Sequence, residues 1–128
     1  MTSVLLDTHA WVWATNRPDM IPSRTLEMIA SAQVVRVSTV SIYEVAQKVR
    51  LGKWGEMRRF IERLETEIDL QTAVAAMPTP AVCLLAGRLD WPHRDPFDRM
   101  IAATALDGGD ILISADTVFD ALPIRRVW

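Results

Sequence analysis

His93–Asp116, HRDPFDRMIAATALDGGDILISAD, holds a helix, its stop, a strand and an acid after the strand, in that order. Asp95 suits the N-cap and Pro96 the first helical position. Asp98 then falls in the first turn and, at 100° per residue, shares a stripe with Ile101, Ala102 and Ala105. The segment is apolar nearly all round, which predicts a buried helix over Asp98–Asp107 that stops at Gly108-Gly109. Asp98 is thus a carboxylate aimed inward, and a buried charge needs a partner or a metal. Ile111–Ile113 reads as a short, wholly apolar strand, and Asp116 follows it after two small residues. A helix feeding such a strand predicts a parallel sheet covered on both faces.

The same grammar extends through the chain. Val4–Leu6 reads as a strand ending at Asp7, and Val34–Ser38 as a second. Helices are expected over Pro22–Gln33, over Ser41–Leu51 with Gly52 as its stop, over Gly55–Thr66 and over Ala81–Leu89. Ile68–Val74 is expected as a third strand and Ile124–Val127 as a last one. The whole, residues 1–128, is read as one α/β domain, a central parallel sheet between helical layers, with length enough for a full core.

Four acids fall at comparable places. Asp7 and Asp116 follow strands; Glu44 and Asp98 are expected in first helical turns. Each has a structural reading as well. Ser41 and Glu44 form an S-x-x-E capping box, to which Lys48 adds an i,i+4 pair, and Asp116 suits a turn or N-cap. Taken together they fall at the carboxyl edge of a parallel sheet, where such folds build their sites. Carboxylates converging there repel one another unless cations hold them, and oxygen-only ligands suit Mg²⁺ or Mn²⁺ rather than zinc. His9, in the first helix, and His93, in a loop, show no zinc spacing and are not expected as ligands.

These residues (Asp7 in LLDTH, Glu44 in S-x-x-E, Asp98 in HRDPFDRMIAATA, Asp116 in SAD) resemble the PIN-domain ribonucleases, and among them the VapC-type toxins of bacterial toxin–antitoxin pairs. The resemblance spans nearly the whole chain. It implies a three-layer α/β/α fold and Mg²⁺-dependent RNA cleavage, with Mn²⁺ as a substitute, leaving a 5′-phosphate and a 3′-hydroxyl. It also implies frequent homodimerisation and inhibition by a cognate antitoxin. Asp7, Glu44, Asp98 and Asp116 carry over as catalytic metal ligands, with Asp95, otherwise a cap, as the substitute for Asp116. Thr8, Ser38 and Ser41 are candidates either for hydrogen bonds to a phosphate or a water, or for helix capping.

The net charge of −2 gives no global attraction to RNA. Locally, Lys48, Arg50, Lys53, Arg58, Arg59 and Arg63 cluster around Trp54, which reads either as an RNA contact with a stacking ring or as a solvated helical face. Trp11 and Trp13 are expected in packing or at a partner surface. The lone Cys83, flanked by Val82 and Leu84, is expected as an inert core thiol; it excludes an internal disulfide and fits a cytoplasmic setting. Leu70–Gly87 is uncharged over 18 residues but is broken by Pro78 and Pro80, so no membrane span is expected. The N-terminal stretch lacks a basic flank and reads poorly as a signal peptide. Two alternatives remain: a phosphoacceptor receiver-like signalling domain, disfavoured because Lys48 and Lys53 are the only lysines, and a catalytically inactive PIN module that only binds partners.

Overall fold

A computed structural model describes residues 2–128. Five strands, all parallel, form one sheet in the order β3-β2-β1-β4-β5. β1 (Ser3–Leu6) lies at its centre, between β2 (Val34–Ser38) and β4 (Ile111–Ile113); β3 (Val74–Ala76) and β5 (Arg126–Val127) form the edges. The register sets Leu6 beside Val37 on one side and beside Ile113 on the other. The strand order reverses at β1, so the carboxyl ends of β1 and β4 bound the crevice in which such sheets bind ligands.

The alternation of side chains explains why the central strands are apolar without a break. Val4, Leu6 and Ile113 pack with Ala10, Trp11 and Val12 of α1 (Thr8–Asn16) and with Val45 of α3 (Thr39–Arg50). Leu5 and Leu112 face the opposite way, onto Ile101, Ala102 and Ala105 of α6 (Pro96–Gly108). Each wholly buried aliphatic side chain contributes roughly 1.5–3 kcal/mol relative to exposure. The small residues of α6 let it lie close to the sheet, and α5 (Pro80–Arg88) packs behind it through Val82 and Ala86 against Ala103. α2 (Ser23–Ser31) adds Met28 and Ile29 to the edge of the first cluster.

Several local expectations are corrected. α3 begins at Thr39, where Ser38 caps it by accepting from the Val40 amide; Ser41 is therefore interior, and Glu44 lies in the second turn rather than in a capping box. Gly55–Arg63 winds as a 3₁₀ helix, whose three-residue period matches Met57 and Phe60, both buried. It passes into α4 (Leu64–Leu70) where β3 was expected to begin. Glu67, Ile68, Asp69 and Leu70 alternate like a strand, but Leu64 and Ile68, four apart, both reach the core, and that contact sustains the helix. β3 starts only at Val74, after a turn in which Thr72 takes a positive φ of 56°. Cys83 is exposed: Val82 and Ala86 define the buried stripe of α5, and Cys83 points a third of a turn away. Trp11 is wholly buried and is no partner surface. No helix among the described residues is long and apolar enough to cross a membrane.

Candidate active site

The carboxyl edge of the sheet opens into a cleft of about 390 Å³ lined by Asp7, Glu44, Asp98 and Asp116, with Asp95, Thr8 and Lys48 also on its walls. The four acids arrive from four segments. Asp7 follows β1 directly, and its backbone N–H donates to the Ile113 carbonyl at 3.0 Å, which ties it to the end of β4. Its side chain caps α1, accepting from the Ala10 amide at 2.7 Å. Glu44 projects from α3, Asp98 from the first turn of α6, and Asp116 from the turn after β4, where it accepts from the Val118 amide.

Their electrostatics record the convergence. Asp7 is pushed up from 3.8 to about 6, chiefly by burial, against the lowering hydrogen bonds of Ser114 and Ala10; Asp98 and Glu44 raise it further. Asp98 is also raised, first by burial and then by Asp95 and Glu44, while His93 opposes the shift. Two of the acids are thus held against ionisation partly by the others, a cost that a cation in the cleft would remove.

The donor chemistry therefore suits a hard divalent ion with oxygen ligands. As the side chains stand, no group of three His, Cys, Asp or Glu among the described residues forms a ready cage, because the carboxylates turn toward local partners. Glu44 Oε2 accepts from Lys48 Nζ at 2.6 Å, and Asp98 Oδ2 lies 2.7 Å from His93 Nε2. Asp95 is engaged as the N-cap of α6, accepting from Phe97 and Asp98 amides.

The hydroxyls divide. Ser38 is spent on capping α3. Ser41 is buried and shares a 2.8 Å hydrogen bond with Thr8, which lines the cleft. Of the basic cluster and its tryptophan, Lys48 and Trp54 line the cleft, Arg58 and Arg59 lie around a neighbouring hollow, and Arg50 and Lys53 line neither. Lys48 is paired with Glu44, whereas Arg50, Lys53, Arg58 and Arg59 form no ion pair among the described residues.

The roles of two residues near the acids escaped the sequence reading. His93 reaches Asp98 from the loop before α6. Arg99 secures that loop: its guanidinium donates to the carbonyls of Ala86, Leu89, Trp91 and His93 at 2.7–3.0 Å. The arginine after Asp98 in DPFDR was visible, but nothing in its spacing reveals that its partners are loop carbonyls.

A parallel α/β sheet with a carboxylate-lined cleft at its switch point defines a class of acid-site domains. Within that class, the PIN domain family matches residues 4–124, and this chain belongs to it. Ribonuclease VapC22 of Mycobacterium tuberculosis (strain ATCC 25618 / H37Rv) is 28% identical over 119 residues, spanning 91% of this chain and 88% of that protein. Among solved structures, VapBC2 from Rickettsia felis, bound to a DNA fragment from its promoter, superposes with a TM-score of 0.71 at 18% identity over 99% of both chains. DNA-bound VapBC from Salmonella typhimurium gives 0.71 at 16% identity, over 99% of this chain and 98% of that one. At such identities these two establish a common fold. The family match also displaces the receiver-like alternative.

Proposed function

We propose that this protein is a metal-dependent endoribonuclease, the toxin of a toxin–antitoxin pair, that hydrolyses RNA phosphodiester bonds in the acid cleft. The observation that carries the reading is the gathering of Asp7, Glu44, Asp98 and Asp116, from four separate segments, around one opening at the end of the sheet. Membership of the PIN family and likeness to a ribonuclease VapC support it. A cleft this acidic repels RNA until cations enter, so the same carboxylates that forbid the metal-free complex make a metal-loaded one.

Asp7, Glu44, Asp98 and Asp116 would hold Mg²⁺ or Mn²⁺. Bound there, the ion supplies Lewis-acid polarisation of the phosphate and activation of water. The chain's own part is placement. Asp7 is fixed by the strand end and the Ala10 amide, Asp98 by the first turn of α6, whose lead-in loop is clamped by Arg99. The Thr8–Ser41 hydroxyl pair offers a donor to a phosphate oxygen at the cleft wall. The partners proposed are an RNA substrate, a cognate antitoxin that blocks the cleft, and a second copy of the chain. An arginine suits the antitoxin's part, since its fork matches carboxylates.

The test is RNA cleavage by the purified chain with and without Mn²⁺, beside Asp7→Asn and Asp98→Asn. Cleavage that needs metal and is lost in both folded variants is the expected result. Full activity in either variant removes that residue from the site, and absence of cleavage by the unmodified chain favours the inactive binding module. Mapping new 5′ ends in cellular RNA after brief induction then identifies the target.

A further inference from the structure

Asp98 is the third residue of α6, after Pro96 and Phe97. An acid at that place commonly reaches back to the amide of the cap residue. Asp98 forms no such bond among the described residues: Asp95 caps the helix alone, and Asp98 Oδ2 goes to Nε2 of His93. An ionised carboxylate offers only acceptors, so the imidazole donates. Oδ1 of Asp98 has no hydrogen-bond partner among the described residues. Asp98 lines the acid cleft, whereas His93 lies outside its lining.

His93 is itself held from two sides. Its ring lies 4.8 Å from that of Trp91, and Trp91 lies 5.7 Å from Phe119, centre to centre; both partners are buried. Phe119 sits in the short 3₁₀ helix Thr117–Ala121 that Asp116 caps. Three rings thus run from the segment capped by one acid to the hydrogen bond on another. From the backbone side, the His93 carbonyl accepts from Arg99 Nη1 at 3.0 Å, and Arg99 follows Asp98 in α6. The loop does not need the His93–Asp98 bond to stay in place, because Arg99 also holds Ala86, Leu89 and Trp91. A pair whose side chains are 27% and 26% exposed adds little to stability. What the bond does is choose one direction for a carboxylate on the cleft wall.

We propose that His93 is a positioning residue: its Nε2–H holds the Asp98 carboxylate by one oxygen and so presents the other to a divalent cation in the acid cleft. The inference rests on the nuclease reading above and deepens it. A donor that orients a ligand carboxylate raises metal affinity without touching the metal, and its loss typically costs about 10–100-fold. A histidine that served only to fill space could be replaced by any side chain of similar bulk against Trp91. One that acts through its N–H can be replaced only by another donor. Glutamine offers that donor at a comparable reach; leucine offers the bulk alone.

The test is Mn²⁺ binding to the full chain, read from the electron paramagnetic resonance of free Mn²⁺, with denaturant unfolding in chelator beside it. His93→Leu and His93→Ala remove the donor, with and without bulk; His93→Gln keeps it. The two donorless variants should bind Mn²⁺ about tenfold more weakly, and His93→Gln within about threefold of the unmodified chain. Unfolding in chelator should not separate His93→Leu from His93→Gln. In RNA cleavage, His93→Leu should need about tenfold more Mn²⁺ for half its maximal rate, and saturating metal should restore most of kcat. Unchanged Mn²⁺ affinity in both donorless variants overturns the role. So does an equal loss in His93→Gln, which would assign the effect to packing on Trp91. Tighter binding in His93→Leu overturns it too, because His93 would then compete with the metal for Asp98. An unmodified chain that binds no Mn²⁺ defeats this role and the cation site together. One that binds and cleaves, with all three variants matching it, defeats the role alone. Donor-dependent Mn²⁺ affinity in a chain that never cleaves RNA supports the role and defeats the nuclease reading.

Discussion

Replacing Asp7 by asparagine should stabilise the metal-free protein at alkaline pH while abolishing metal-dependent cleavage. Asp7 is only 8% exposed, and burial, reinforced by Asp98 and Glu44, raises its pKa from 3.8 to about 6. The folded state thus binds this proton more tightly than the unfolded chain does. The stability the group contributes is complete below pH 3.8 and is lost as pH rises through about 6. A shift of roughly two units corresponds to about 3 kcal/mol. Asparagine keeps the oxygen that accepts from the Ala10 amide, so the cap on α1 survives the change. In a chain of this size 1 kcal/mol moves the melting temperature by about 3 °C. Asp7→Asn in chelator should therefore melt up to about 9 °C higher than the unmodified chain near pH 8, with the gain shrinking toward zero near pH 4. Thermal melts across that range are the assay. A variant that melts no higher near pH 8, or whose gain is the same at both ends, would show that Asp7 carries no stored electrostatic cost, and the convergence argument would fail with it.

Millimolar Mn²⁺ should stabilise the unmodified chain, by about 2.7 kcal/mol at a hundred times the dissociation constant, and so raise its melting temperature, and Asp98→Asn should shrink that response; a curve indifferent to metal contradicts the cation site. Arg99→Met should cost about 2 kcal/mol or more by leaving the carbonyls of Ala86, Leu89, Trp91 and His93 short of donors, and should also lower cleavage, read by denaturant unfolding and a kinetic assay together. Gly108→Ala should destabilise by about 1–3 kcal/mol, because a Cβ there meets the Arg36 guanidinium and the Asp110 carboxylate, which pair beneath it; an unaltered melt would mean the pair shifts freely. Trp11→Ala should cost about 3–5 kcal/mol, as it empties a wholly buried site and removes the indole hydrogen bond to Gln71.

Much of this was written in the chain's local pattern. The apolar runs at Val4–Leu6 and Ile111–Ile113, with the mostly apolar Val34–Ser38, alternating with helices, pointed to a parallel sheet buried on both faces, because strands without a polar face need cover on each side. Asp95-Pro96 and Gly108-Gly109 fixed both ends of α6, since caps and stops act through their own backbone. The four acids at strand ends and helix starts already pointed to one edge. What needed the third dimension was decided by contacts between distant residues. Leu64 and Ile68 kept helical a segment that alternated like a strand, because the core they reach is built by α1 and the sheet. α3 began three residues earlier than its S-x-x-E pattern suggested, because Ser38 capped it and Ser41 was held by Thr8 from another helix. The same rotation about α5 that buried Val82 and Ala86 turned Cys83 to solvent. The hold of Arg99 on four carbonyls and the reach of His93 to Asp98 depend on where loops and helices meet. Hydrogen bonds to loop residues outside the helical and strand spacings leave no period for a sequence to display.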